Sequence, residues 1–176
     1  MIHGHGSDRY LCDAEIIADF SSNIWYDGLH PALSNHIESK IKDIIHYPEP
    51  DAGALTCNIA KKHSVDKSNI LVTNGATEAF YLLAQIMSCR TSYILYPAFA
   101  EYEDACTIFN HSIIFLKNSE LIEDMRFISH STLWLGNPNN PDYYVYNQTK
   151  ELYHLFPDST TLIYNRNFLS IKSSQF

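Results

Sequence analysis

Apolar positions recur along this chain in two alternating rhythms. Short runs rich in apolar and β-branched residues stand at 70–72, 92–96, 112–116, 132–135 and 160–164, and each predicts a buried strand. Between them, apolar residues return every three or four positions. Leu33, Ile37, Ile41, Ile44 and Ile45 predict a helix that begins at Pro31 and ends near His46. Residues 53–63 predict a second helix with Asp51 as its cap. Residues 76–87 predict a third, with Ala79, Leu82, Leu83 and Ile86 on one face, and 100–109 a fourth, with Tyr102, Ala105, Cys106 and Phe109 on one side. Residues 148–156 read as a further helix, and 118–127 are ambiguous. The prolines of Tyr47-Pro48-Glu49-Pro50 disfavour helix in the residues before them, so this stretch is extended. Residues 1–10 read as an extended arm.

Strands that alternate with helices ask for an α/β fold: a mostly parallel sheet, helices on both faces, right-handed crossovers. Ligands in such sheets sit at the carboxyl ends of the strands. Three polar turns are expected there, at 74–78, 97–101 and 137–142. In the first, Asn74-Gly75 is a turn signal between a strand and a helix. The opening N–H groups of a helix have no partner, and the helix dipole adds to them, so such a turn attracts phosphate. Most strand-glycine-helix junctions nonetheless bind nothing. Asn137-Pro138-Asn139-Asn140-Pro141, taken alone, reads as a rigid turn rich in Asx hydrogen bonds.

Composition narrows the class. A chain of 176 residues, 45% apolar and 18% charged, supports one full core. A net charge of −8 with no basic run argues against a nucleic-acid surface. No basic-then-apolar leader and no apolar stretch long enough for a membrane are seen, so the expected location is cytoplasmic. The four cysteines, with no C-x-x-C spacing, fit reduced thiols better than a disulfide framework. His3 and His5 have no cysteine or carboxylate beside them at ligand spacing, so no metal site is expected.

Six motifs, in order, change the picture: His3-Gly4-His5-Gly6, 19–23, Tyr47-Pro48-Glu49-Pro50, 74–78, 97–102 and 137–141. Together they resemble the fold-type-I pyridoxal-phosphate enzymes. The nearest branch is aminotransferase class I/II, with histidinol-phosphate aminotransferase and threonine-phosphate decarboxylase. The glycine- and histidine-bearing start leans to the decarboxylase side. The resemblance implies pyridoxal 5'-phosphate as cofactor, and transamination or decarboxylation of an amino acid or phospho-amino acid through an imine to that cofactor. It implies that residues 1–30 form an arm and substrate-side segment, and 31–176 part of the cofactor-binding large domain.

The same resemblance assigns roles. Ala76 and Thr77 give donors to the cofactor phosphate. Phe99 lies on the pyridine ring, and Asn140 donates to the phenolic oxygen. Tyr47 reaches the phosphate of a neighbouring subunit, which implies a homodimer. Asn23 lies on the substrate side. By themselves, Phe99 could be a core phenylalanine and Tyr47 a surface packing residue. Asn165 stands where the family has the aspartate that pairs with the ring nitrogen, and an amide cannot keep that nitrogen protonated; Arg166 beside it works further against protonation. Asp142-Tyr143 replaces the usual Thr-Gly, and no Asn-Pro follows Asn23. Lys172 lacks the family context of a Schiff-base lysine, so no catalytic residue is assigned. The expectation is a truncated member with little or no activity alone and poor solubility as a monomer. The alternatives are a non-catalytic module that binds phosphate ligands or pairs with a related subunit and, more weakly, a nucleotide-binding domain, for which no glycine-rich fingerprint follows a strand.

Overall fold

The computed structural model describes Tyr10, residues 13–22, 27–88, 90–117 and 130–145, and the backbone of 161–165. The chain divides into two compact units, His5–Asn74 and Gly75–Phe176 with Met1–Gly4. The expected arm at 1–10 (beyond Tyr10), the segment 118–127 and the helix at 148–156 lie outside the described residues, as do Asn23, Arg166 and Lys172.

In the first unit, helix α1 (Pro31–Lys40) begins as its sequence asks. Pro31 takes the first turn, and His30 Nδ1 accepts from the Ala32 amide at 3.2 Å. The single helix expected to reach His46 is instead broken at Lys40. Ile41–Ile45 continue as a 3₁₀ turn and His46 is extended, the tightening by which many helices finish. The predicted apolar row does form, but it faces outward: Leu33, Ile37, Ile41, Ile44 and Ile45 are 47–80% exposed.

Helix α2 spans Gly53–His63, and its cap differs from the one expected. Ala52 holds the cap position with φ +47°, and no side chain caps from there. Asp51 Oδ1 accepts from the Gly53 amide at 3.2 Å, and Glu49 Oε2 from the Ala54 amide at 2.8 Å. Two carboxylates therefore share the positive end of this helix. The strand expected at 70–72 is absent, and Leu71 is exposed. A three-residue apolar run becomes a strand only when another strand pairs with it, and no described strand does.

The second unit holds helix α3 (Gly75–Ile86), strand β1 (Thr91–Tyr96), helix α4 (Ala100–Ile108), and strands β2 (Ser112–Lys117), β3 (Ser131–Gly136) and β4 (Thr161–Asn165). The strands form one sheet in the order β2-β1-β3-β4. All three pairings are parallel, with Thr91 opposite Ser112 and Ser131, and Gly136 opposite Asn165. The chain leaves β1 for β2 on one side, then returns to β3 on the other. That reversal opens a crevice between the carboxyl ends of β1 and β3.

Both faces of the sheet are covered, as parallel strands require. On one, Ile94 and Trp134 pack against Phe80, Ala84 and Met87 of α3 and its end, and against Tyr102, Ala105 and Cys106 of α4. On the other, Tyr93, Leu95, Leu133 and Leu135 are buried too. The buried stripe of α3 is therefore Phe80-Ala84-Met87, not the face of Ala79, Leu82, Leu83 and Ile86 expected from periodicity. Ile86 is 76% exposed, and Leu83 packs only at the edge of the core. This helix is apolar on most sides, so spacing alone could not choose which side meets the sheet.

A polar bolt crosses this core. His111 Nε2 donates to the Ala84 carbonyl at 2.9 Å, so its Nδ1 is the acceptor for Ser92 Oγ at 2.7 Å. Trp134 Nε1 donates to the same Ser92 oxygen at 3.1 Å. Ser92 is fully buried and its hydroxyl is committed, so this serine-histidine pair is structural rather than nucleophilic. Burial pushes the neighbouring Cys106 thiol up to about 11, with a hydrogen bond to Ser92 acting the other way. Among the described residues, Cys57 and Cys106 are free thiols, no group of three or more side chains could hold a metal, and no helix is long and apolar enough to cross a membrane.

Candidate functional site

Three turns of the second unit meet at the carboxyl edge of its sheet. The first is the start of α3. Gly75 has φ +83°, a region open to glycine and strained for other residues, while a Cβ there would touch nothing within 4 Å. Glycine is required by the backbone, not by space. Past it, Ala76 is exposed and Thr77 half-buried at the start of the helix, the end to which the helix dipole lends positive character. This turn follows an extended segment and not the strand the sequence predicted.

The second turn follows β1. Phe99 caps α4 with extended backbone and is half-buried. Its ring meets Phe80 at 6.2 Å and Tyr102 at 6.1 Å, both at steep angles. The third turn follows β3. Asn139 is 2% exposed, and its side-chain amide donates to the Pro97 carbonyl at 2.6 Å and to Asp142 Oδ1 at 2.8 Å. Its own amide donates to the Tyr144 carbonyl at 2.8 Å. The β3 loop is thus laced to the β1 loop. Asn140, next in sequence, is half-buried and makes no hydrogen bond among the described residues. Asn165 ends β4, opposite Gly136 in the register and so at the same edge.

A fourth element, one that sequence reasoning missed, ties the first turn to the second. Tyr81, one helical turn past Thr77, hydrogen-bonds Glu101, which with Asp104 is 1% exposed. Burial, then that bond and the charges of Glu101 and Asp104, push the Tyr81 phenol up to about 12. The unfolded phenol titrates near about 10. A raised folded value means the stabilisation is complete below that pH and is lost as pH climbs toward the folded value. Thermal unfolding followed across this alkaline window is expected to show a fall in melting temperature that is shallower in Tyr81→Phe. Equal slopes would assign the loss to other groups.

The edge therefore brings together Ala76, Thr77, Phe99, Asn140 and the end of β4 at Asn165. Tyr47 belongs to the other unit and is fully exposed, so it packs on nothing in the described chain. An open cavity of about 720 Å³ lies wholly in that unit, between the start of α2 and Lys67; Glu49 and Pro50 of the proline motif line it, but none of the residues given a cofactor or substrate role does. The donor chemistry at the edge fits a phosphorylated aromatic ligand: helix amides and a hydroxyl for phosphate, an aromatic ring for a ring face, and an available amide for a ring oxygen.

No protein-family model matches the chain. L-threonine-O-3-phosphate decarboxylase from Porphyromonas gingivalis is similar in structure with a TM-score of 0.76 and 41% identity, over 84% of this chain and 46% of that one. Threonine-phosphate decarboxylase of Salmonella typhimurium is 29% identical over 133 residues, 71% of this chain and 36% of its own length. Histidinol-phosphate aminotransferase of Shouchella clausii is 28% identical over 137 residues, 73% and 37% of the two chains. The chain spans 17% to 37% of the length of the curated relatives it matches.

Proposed function

Because the chain belongs to the fold-type-I pyridoxal-phosphate-dependent aminotransferase class I/II family, we propose that its sheet edge is a binding site for pyridoxal 5'-phosphate. The observation that carries this is the division of labour between two adjacent asparagines. Asn139 is consumed in holding the loop, and Asn140 is left with an amide to offer. Ala76 and Thr77 bind the phosphate at the positive end of α3. Phe99 takes the pyridine ring, and Asn140 donates to its oxygen. When bound, this cofactor supplies an electron sink for bonds at the α-carbon of an amino acid.

The substrate class in this proposal is an amino acid or phospho-amino acid, by transamination or decarboxylation, and the named relatives support both. Residues 31–176 form part of the cofactor domain, and 1–30 the arm that brings Asn23 toward the substrate. Asn165 is the weak point. It leaves the ring nitrogen without a carboxylate partner, which lowers the power of the sink. The chain also pairs with a second copy in this proposal. The outward row from Leu33 to Ile45 gives it an apolar face, and the unpacked Tyr47 reaches the partner's phosphate. The free thiols at Cys57 and Cys106 suit a cytoplasmic setting.

One experiment tests the reading. Titration of the chain with pyridoxal phosphate, followed by circular dichroism in the cofactor band, should saturate at one site per chain. Asn140→Ala should weaken that binding roughly tenfold, the loss of about one hydrogen bond to a charged or polarised oxygen. Sedimentation of the same samples should show a dimer. Absence of saturable binding by the wild-type chain, or equal binding by Asn140→Ala, would overturn it.

A further inference from the structure

We infer that Phe80 is a positioning residue whose ring sets the plane of Phe99 relative to the start of α3. Its functional meaning rests on the cofactor reading above, but its geometry does not. Phe80 is 4% exposed and meets three rings edge-on. Phe99 lies at 6.2 Å and 71°, Tyr102 at 5.0 Å and 81°, and Trp134 at 6.3 Å and 79°. Tyr102 closes the set, 6.1 Å and 85° from Phe99 and 5.4 Å from Trp134.

Edge-to-face contacts fix orientation as well as distance, because a ring's positive edge is drawn to its neighbour's negative face. Trp134 is anchored by its bond to Ser92, and Ser92 by His111. Phe99 is held differently. It stands at a helix cap rather than in a strand, and it is half-buried, so its plane depends on the rings beside it. Tyr102 shares the helix that Phe99 caps and moves with it. Phe80 comes from the other helix, three residues after Thr77 and on the same side. It is therefore the contact through which the phosphate-side donors and the ring platform are kept in one geometry.

The test uses the full 176-residue chain with a fluorine at the para position of Phe99, read by ¹⁹F NMR, in wild type, Phe80→Leu and Met87→Ala. Met87 lies in the same core but at the far end of α3. Phe80→Leu is expected to shift or split the Phe99 line and to weaken pyridoxal phosphate binding roughly threefold to tenfold. Met87→Ala is expected to lower the melting temperature and leave the line in place. If Phe80→Leu does not fold, Phe80→Met keeps an apolar side chain without a ring and is read in its place. An unmoved line in a folded variant overturns the inference. A line that moves while wild type binds no pyridoxal phosphate upholds the role of Phe80 and overturns the cofactor reading instead.

Discussion

Replacing Trp134 by alanine is expected to remove a large share of the chain's stability and to shift its unfolding midpoint well down. The side chain is fully buried and stands at the centre of the aromatic set, against Phe80 and Tyr102. Truncating a buried tryptophan costs about 3–5 kcal/mol in cavity and lost transfer energy. Its indole N–H also holds Ser92, which shares a bond with His111. Against a total stability of about 5–15 kcal/mol, that loss is most of a marginal fold. Trp134→Phe keeps one ring but removes the donor and part of the indole volume, so its cost should lie between that of one buried hydrogen bond and that of the alanine variant. Urea denaturation followed by far-ultraviolet circular dichroism measures both. A midpoint for Trp134→Ala within error of wild type would show that the core does not depend on this residue.

Asn139→Ala should come second in size and differ in kind. It removes the lace between the β3 and β1 loops and leaves the Pro97 carbonyl without its amide donor. Each buried polar group so stranded costs about 1–3 kcal/mol. Asp142 is exposed and keeps the Tyr144 amide as a donor, so losing its bond to Asn139 adds little to that cost. The loop should open as well, so pyridoxal phosphate affinity should fall further than in Asn140→Ala, although Asn139 itself touches no ligand in our assignment. Asn140→Ala, by contrast, should leave the melting temperature nearly unchanged. If both variants lose affinity equally with no difference in stability, the proposed division between holding and binding is wrong.

Most of the sheet was legible from sequence. β1 and β3 begin within a residue of the expected positions and stop at Pro97 and after Gly136, because continuous apolar runs closed by proline or glycine leave few alternatives. The run at 70–72 carried the same local signal and formed no strand. Strand formation is decided by a distant partner, and three residues say nothing about that partner. α3 shows a second limit. Its boundaries were nearly right, but its buried face was not, since apolar residues surround the helix and only the sheet chooses a side. At the site, the motif pointed to Asn140, which stands in the β3 loop that Asn139 laces to the β1 loop. That Asn139 would be the buried member follows from Pro97 and Asp142, which come from a different loop and a later position. His111 and Phe80 gave no signal at all. A histidine in a polar turn and a phenylalanine in an apolar helix are unremarkable until the fold sets their neighbours.

The lacing by Asn139 has a thermodynamic consequence. A free five-residue loop that ordered around a ligand would lose about 1–2 kcal/mol of backbone freedom per residue. Here the hydrogen bonds of Asn139 already order the loop, so a ligand immobilises little more than the Asn140 side chain, at about 0.5–1.5 kcal/mol. Calorimetry of binding should therefore show a small entropic penalty at this wall of the site, and Asn139→Ala should reveal the larger one by making the ligand restore the order itself.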